Sequence, residues 1–182
     1  MIRKDHENYK VLKSDLKYEG HIINLRLDDV RFPNNKVFLR EIIEHKGAVG
    51  IIPVCSDGKV IMVKQYRHPV GGFLLEIPAG LFHPGESAQE CAIRELKEET
   101  GAVATKFHKL AEFYTTPGYS NEKLHLYLAL VDRETSPQPE EDELLEIEKI
   151  DFKEAYDLIA KGEIQDSKTI IGLCLASNLI KQ

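Results

Sequence analysis

Residues 80–102 read GLFHPGESAQECAIRELKEETGA, and the fold turns on this stretch. Glu95, Glu98 and Glu99 recur at spacings of three and four. At about 100° per residue they share an arc roughly 100° wide on one face of a helix. Both ends of that helix are written locally. Ser87 with Glu90 forms a capping box that starts it, and Gly101 is the residue type that ends a helix in the left-handed conformation. Ala88, Ala92 and Leu96 make an apolar stripe beside the acidic face, suited to packing on a core. Arg94 stands four residues from both Glu90 and Glu98 and can brace the acidic face from one side.

Like charges at these spacings repel, and negative charge near a helix C-terminus opposes the macrodipole. Such a face is either simply solvated or built to receive a cation. The preceding segment favours the second reading. Pro78-Ala79-Gly80 and Pro84-Gly85-Glu86 build a tight loop that returns Glu86 to the start of the helix. A backbone carbonyl beside Gly80 can then face the carboxylates. That is an all-oxygen donor set, suited to a hard divalent cation such as Mg2+ or Mn2+.

Gly80, five residues, Glu86, seven residues, then Arg94-Glu95-Leu96-Lys97-Glu98-Glu99-Thr100-Gly101-Ala102 resembles the complete Nudix box, G-x5-E-x7-R-E-U-x-E-E-x-G-U with U apolar. Every fixed position is filled, and the small Ala102 at the last apolar position is the one mild departure. The resemblance implies an α/β fold, an α/β/α sandwich on a mixed sheet. It also implies a metal-dependent hydrolase of a nucleoside diphosphate linked to another moiety. The metal, Mg2+ with Mn2+ possible, would be held by the Ala79 carbonyl, Glu95 and Glu99, with Glu98 as a further ligand or a catalytic group beside it.

Other fragments resemble the ADP-ribose pyrophosphatase branch of the family. Pro117 lies sixteen residues after Gly101 in TTPGYSNE, LEIPAG spans 75–80, and Gln65-Tyr66-Arg67 ends the strand before the box. This likeness implies that Arg67, Thr116 and Gly118 contact substrate; a guanidinium can bind phosphate oxygens in a fork. Without the likeness, Arg67 reads equally as a surface arginine. Arg40-Glu41 before HKGAV (45–49) resembles the entry to these enzymes, where N-terminal segments exchange across a homodimer and help to bind the base; Arg40 is the candidate there. The branch draws its general base from a loop corresponding to PEEDELLEI (139–147), which points to Glu143, with Glu141 the runner-up. Read alone, that run is a solvated acidic loop.

The implied substrates are nucleoside diphosphate sugars, with ADP-ribose leading and GDP-mannose or a broad range as the alternative. A Nudix module that binds ADP-ribose without hydrolysing it is the rival from another class, and the intact box speaks against it. Tyr66, Tyr119 and Phe32 could stack on a base or simply pack. His68, His83 and His125 show no ligand spacing.

Outward from this centre, AVGIIPV (48–54) is a continuous apolar run and reads as a buried strand. SDGK (56–59) turns it back into VIMVKQY (60–66). Residues 73–77 are extended; KFHKLAEFY and EKLHLYLALV are further strands around TTPGYSN; 132–143 reads as an irregular acidic loop; LLEIEKI is a strand. Asp151 opens a helix that ends before Gly162, and Ser167 opens a final one. Before all of this, VLKSDL, HIINLRLDDVRF and KVFLREIIEH form either a small antiparallel unit or strands of the main sheet. The expected division is 1–45, a β unit for dimerisation, and 46–182, the hydrolase domain.

The 182 residues carry 24 Lys and Arg against 30 Asp and Glu, a net charge of −6. That balance excludes nucleic acid or an anionic membrane as the main partner, and bound cations would reverse the field locally for an anionic substrate. Three scattered cysteines without a CxxC pair read as reduced thiols in a cytoplasmic protein, Cys91 and Cys174 as core. No apolar run reaches membrane-spanning length.

Overall fold

Ala48–Val54 (β4) is buried along its whole length, because it lies between two layers rather than on one. Val49 and Ile51 face one apolar cluster, while Ala48, Ile52 and Val54 face the other. Each fully buried Ile or Val contributes roughly 1.5–3 kcal/mol through water-excluded area. The strand therefore anchors the sheet around it.

The computed structural model describes residues 7–139 and 144–180. Two units divide the chain: the residues up to Gly47 together with Tyr114–Lys123, and Ala48–Phe113 with the described part of the remainder.

The first unit holds Lys10–Glu19 (β1), Ile23–Arg31 (β2) and Val37–His45 (β3), a three-stranded antiparallel sheet of its own. The separate-unit reading of these segments is the one realised. Phe32 to Lys36 closes the β2–β3 turn, with Asn35 at φ 61, a conformation asparagine tolerates. The TTPGYSN segment belongs to this unit. Ile43 donates its N–H to the Tyr119 carbonyl at 2.8 Å, and His45 donates its N–H to Asn121 Oδ1 at 2.7 Å. Leu12, Leu16, Tyr18, Val37, Phe38 and Leu39 are exposed on these strands.

The second unit carries a seven-stranded mixed sheet. Leu145–Asp151 (β10), Lys59–Arg67 (β5), β4, Lys123–Glu134 (β9) and Ala102–Tyr114 (β8) follow in that order. Gly72–Glu76 (β6) pairs with β5, and Ala79–Leu81 (β7) with β4. β4 and β9 run parallel, whereas β10, β6 and β7 pair antiparallel. Ala88–Thr100 (α1) packs Cys91, Ala92 and Leu96 on one face of the sheet. Phe152–Ala160 (α2) and Ser167–Ile180 (α3) cover the other through Ala155, Leu173 and Ala176. This is the expected α/β/α sandwich. Among the described residues, no helix is long and apolar enough to cross a membrane.

Two local expectations, the start of the acidic stretch and the burial of Cys174, need correction. β9 continues to Glu134, so the irregular stretch starts at Thr135 rather than at 132. The final helix does open at Ser167, and Asp166 before it supplies the cap: its carboxylate accepts both the N–H and the hydroxyl of Thr169, at 2.9 and 2.6 Å. Cys174 is half-buried, while Cys91 is fully buried as expected, and all three cysteines are free thiols.

Candidate active site

Both ends of α1 follow their local signals. Ser87 accepts from the Glu90 N–H, and Glu90 reaches back to the Ser87 N–H at 2.9 Å, completing the capping box. Gly101 adopts φ 71, and its N–H meets the Lys97 carbonyl. A Cβ at Gly101 would also strike the Thr135 carbonyl, so the position needs glycine twice over. The bonds Thr135 N–H to Gly101 O at 2.7 Å and Gln138 N–H to Glu98 O at 2.7 Å then lead the chain along the C-terminal end of α1. Glu141 and Glu143 follow at once in sequence, but they lie outside the described residues.

Arg94 is the hub of the acidic face. Its guanidinium grips Glu86 through two bonds, Nε–Oε1 at 2.8 Å and Nη2–Oε2 at 2.9 Å. Nη1 donates to Glu95 at 2.7 Å and Glu98 at 3.0 Å, and Nη2 also donates to the Leu81 carbonyl at 3.0 Å. The tight loop thus does return Glu86 to the helix, where its carboxylate also accepts the His83 N–H at 3.0 Å. Hydrogen bonds from Arg94 hold the Glu86 carboxyl down at about 2, and the same bonds raise the Arg94 guanidinium. Burial, with the Glu86 and Glu95 charges behind it, pushes the Cys91 thiol up to about 12 and keeps it protonated.

The backbone before the helix meets the carboxylates closely. Ala79 donates its N–H to Glu99 Oε2 at 3.1 Å. At Gly80 any side chain would collide with the Glu95 carboxylate. Glu95 and Glu99 are both buried, whereas Glu98 leaves 39% of its side chain exposed. The structure therefore brings Ala79, Glu95, Glu98 and Glu99 together and adds Glu86. One guanidinium meets three of these carboxylates, every remaining donor is oxygen, and a cradle at Gly80 keeps side chains away. That set suits a hard divalent cation. Among the described residues, no three acidic, histidine or cysteine side chains converge in metal-ligand geometry, and Arg94 stands between Glu86, Glu95 and Glu98.

Arg67, at the end of β5, is fixed by a residue that sequence reasoning missed. Its Nε and Nη2 donate to the two oxygens of Glu76 at 2.8 and 2.7 Å. Glu76 is almost wholly buried and also takes a hydrogen bond from Lys168. Burial alone would raise the Glu76 carboxyl, but the bond from Arg67 and the charge of Lys168 outweigh it and hold the group ionised. The Glu76 bond raises the Arg67 guanidinium, to which the Asp166 and Glu99 charges add. Arg67 therefore lies within the field of the box. Nη1 makes no hydrogen bond among the described residues, and 38% of the side chain is exposed.

Arg40, Thr116 and Gly118 belong to the other unit. Arg40 lies over the rings of Phe32 and Phe38, at 4.8 and 5.6 Å, and donates to the Leu39 carbonyl. The Thr116 carbonyl accepts the N–H groups of Tyr119 and Ser120, and Gly118 faces open space. Tyr66 packs edge-on against Phe73 at 5.5 Å, and Phe32 against Tyr9 and Phe38. His125 lies edge-on to Phe82, 3.4 Å from Glu112, away from any ligand cluster.

The chain has relatives among known proteins. A NUDIX domain profile matches residues 44–171. A protein of Bacillus subtilis described as ADP-ribose pyrophosphatase is 40% identical over 162 residues, 88% of each chain. A Bacillus methanolicus protein described as methanol dehydrogenase activator is 38% identical over 166 residues, 90% of each chain. A crystal structure described as an ADP compounds hydrolase superposes with a TM-score of 0.84 over 98% of this chain and 97% of its own, at 24% identity. That last likeness establishes the fold.

Proposed function

We propose that this chain, which belongs to the NUDIX family, hydrolyses the pyrophosphate bond of nucleoside diphosphate sugars, with ADP-ribose the leading substrate and AMP and ribose 5-phosphate the products. The observation that carries the reading is the gathering of Glu86, Glu95 and Glu98 on Arg94, with Glu99 on the Ala79 N–H and the Glu95 carboxylate against Gly80. The relative in Bacillus subtilis supports the substrate class.

The Ala79 carbonyl, Glu95, Glu99 and Glu98 are the residues that would hold Mg2+ or Mn2+. When bound, such an ion supplies charge neutralisation at the phosphates and a more acidic water. The chain's own residues do the rest. Arg67 keeps one edge on Glu76 and offers the other to a phosphate oxygen, a fixed positive charge where negative charge develops. Arg94 prevents Glu86, Glu95 and Glu98 from splaying apart under mutual repulsion. Glu143, or Glu141 in its place, accepts the proton of the attacking water, since a carboxylate committed to a metal makes a poor base. Arg40, Thr116 and Gly118 are the proposed contacts to the nucleotide.

The exposed apolar residues of β1 and β3 support a homodimer built on the N-terminal sheet. Three free thiols suit a reducing, cytoplasmic compartment.

A second reading has a protein partner, because one relative is named for activating an enzyme. A substrate panel tests the first reading: purified chain with ADP-ribose, GDP-mannose and other nucleotide sugars, with Mg2+ or with chelator, products resolved by chromatography. The expected result is metal-dependent release of AMP from ADP-ribose without any added protein. A stronger response to GDP-mannose would move the substrate within the class. Tight binding of ADP-ribose without turnover would identify a binding module instead.

A further inference from the structure

Glu76 is a buried carboxylate with two cationic partners, and they come from different parts of the chain. Arg67 reaches it from β5, nine residues back; Lys168 reaches it from the first turn of α3, 92 residues on. Lys168 leaves only 13% of its side chain exposed and also pairs with Asp166 Oδ1 at 3.2 Å. The same helical turn holds the next backbone group as well. The Ile77 N–H donates to Thr169 Oγ1 at 2.9 Å, and that hydroxyl donates to Asp166 at 2.6 Å. Ile77 is two residues before Ala79, so α3 secures the backbone that runs into the acidic site.

The charges in this cluster balance: Arg67 and Lys168 against Glu76 and Asp166. Were Lys168 absent, Glu76 would neutralise Arg67 outright and Asp166 would stand as an extra negative charge near it. With Lys168 present the cluster is neutral rather than net negative, so an anion can approach the exposed edge of Arg67 without that repulsion. Glu76 still fixes its plane through a fork of two bonds.

We infer that Lys168 is a positioning residue for substrate binding, acting through Glu76 to hold Arg67 in place and leave its charge available to the diphosphate of the substrate. This rests on the hydrolase reading given above and extends it to a residue of the last helix. Lys168 itself touches Glu76 and Asp166.

The test is a double-mutant cycle on kcat and KM for ADP-ribose at fixed ionic strength, using Lys168→Met, Arg67→Ala and the double variant. Lys168→Met should raise KM by ~10-fold with kcat within about threefold of wild type, the pattern of weakened binding with intact chemistry. In the Arg67→Ala background the same change should do nothing further, and Lys168→Arg should restore KM to within about threefold. Lys153→Met removes a lysine from an exposed pair with Asp157; it controls for net charge and should leave KM unchanged. An unaltered KM in Lys168→Met overturns the inference. So does an equal loss in both Arg67 backgrounds, which would mean that Lys168 acts independently of Arg67. Where Lys168→Met does not fold, Lys168→Gln, which can still donate to Glu76, reads the same cycle. Calorimetric binding of inorganic pyrophosphate to the same variants separates this idea from the hydrolase reading. A wild-type chain without turnover sinks that reading, whereas ~10-fold weaker pyrophosphate binding in Lys168→Met, confined to the Arg67 background, still upholds the role of Lys168.

Discussion

Arg94 and Glu86 form a forked ion pair, with bonds of 2.8 and 2.9 Å, that closes the loop before α1 onto the helix itself. The pair sets the entry to the acidic face, because the same guanidinium also holds Glu95 and Glu98.

One consequence is a pH dependence of stability. In the folded chain Glu86 titrates at about 2, against an ordinary 4.5. Its folded value is depressed, so its contribution is complete above the ordinary value and is lost as pH falls from 4.5 towards about 2. In chelator, the difference in urea-unfolding free energy between wild type and Glu86→Gln should be flat from about pH 7 to 5 and shrink below that. A difference that stays constant down to about pH 3 would contradict the pairing.

Glu95→Gln and Glu99→Gln should each lower kcat by ~10²-fold or more while leaving the unfolding midpoint nearly unchanged. Each substitution removes a charge from a face where like charges crowd, and that relief offsets the weakening of the hydrogen bonds the carboxylate accepts. Near-wild-type turnover at saturating Mg2+ in either variant would remove that glutamate from the metal site.

Much of this centre is legible in the sequence because its signals are local. Ser87, Glu90 and Gly101 mark the ends of α1 through bonds to near neighbours in the chain, and the three- and four-residue spacings put the glutamates on one face. The partner of Arg94 is less legible. Glu90 and Glu98 stand at equal spacing from it, but the capping box takes Glu90, and Glu86 replaces it from the loop. β7 is three residues long, Ala79–Leu81, and gives no strand signal of its own; its pairing with β4 makes it a strand. The Glu76 cluster joins residues 9 and 92 apart, a distance no periodicity reports. The start of α3 at Ser167 is legible, while its cap is the preceding Asp166, whose carboxylate reaches the N–H of Thr169.

The general base divides two variants. Glu143→Gln should leave metal and substrate affinity close to wild type and cut kcat by ~10²-fold or more, the size expected when general-base catalysis is removed. A silent Glu143→Gln with a crippled Glu141→Gln would move the role by two residues in sequence. Two silent variants would place the base elsewhere.

The N-terminal sheet exposes Leu16, Tyr18, Val37 and Leu39, between 49% and 57% each. Three strands with so much apolar surface in water call for a covering partner. Light scattering at micromolar concentration should give the mass of two chains, and Leu16→Lys with Leu39→Lys should reduce it to one. A mass of one chain for the unaltered protein would refute the homodimer.

The central claim is hydrolysis at the pyrophosphate, and the most direct measurement is of the products of ADP-ribose in 18O-labelled water with Mg2+, read by mass spectrometry. Attack of water on phosphorus predicts AMP and ribose 5-phosphate in equal amounts, with one 18O atom per turnover carried on a phosphate of one product. Release of ADP and free ribose, label on the sugar carbon, or unchanged ADP-ribose would each contradict it.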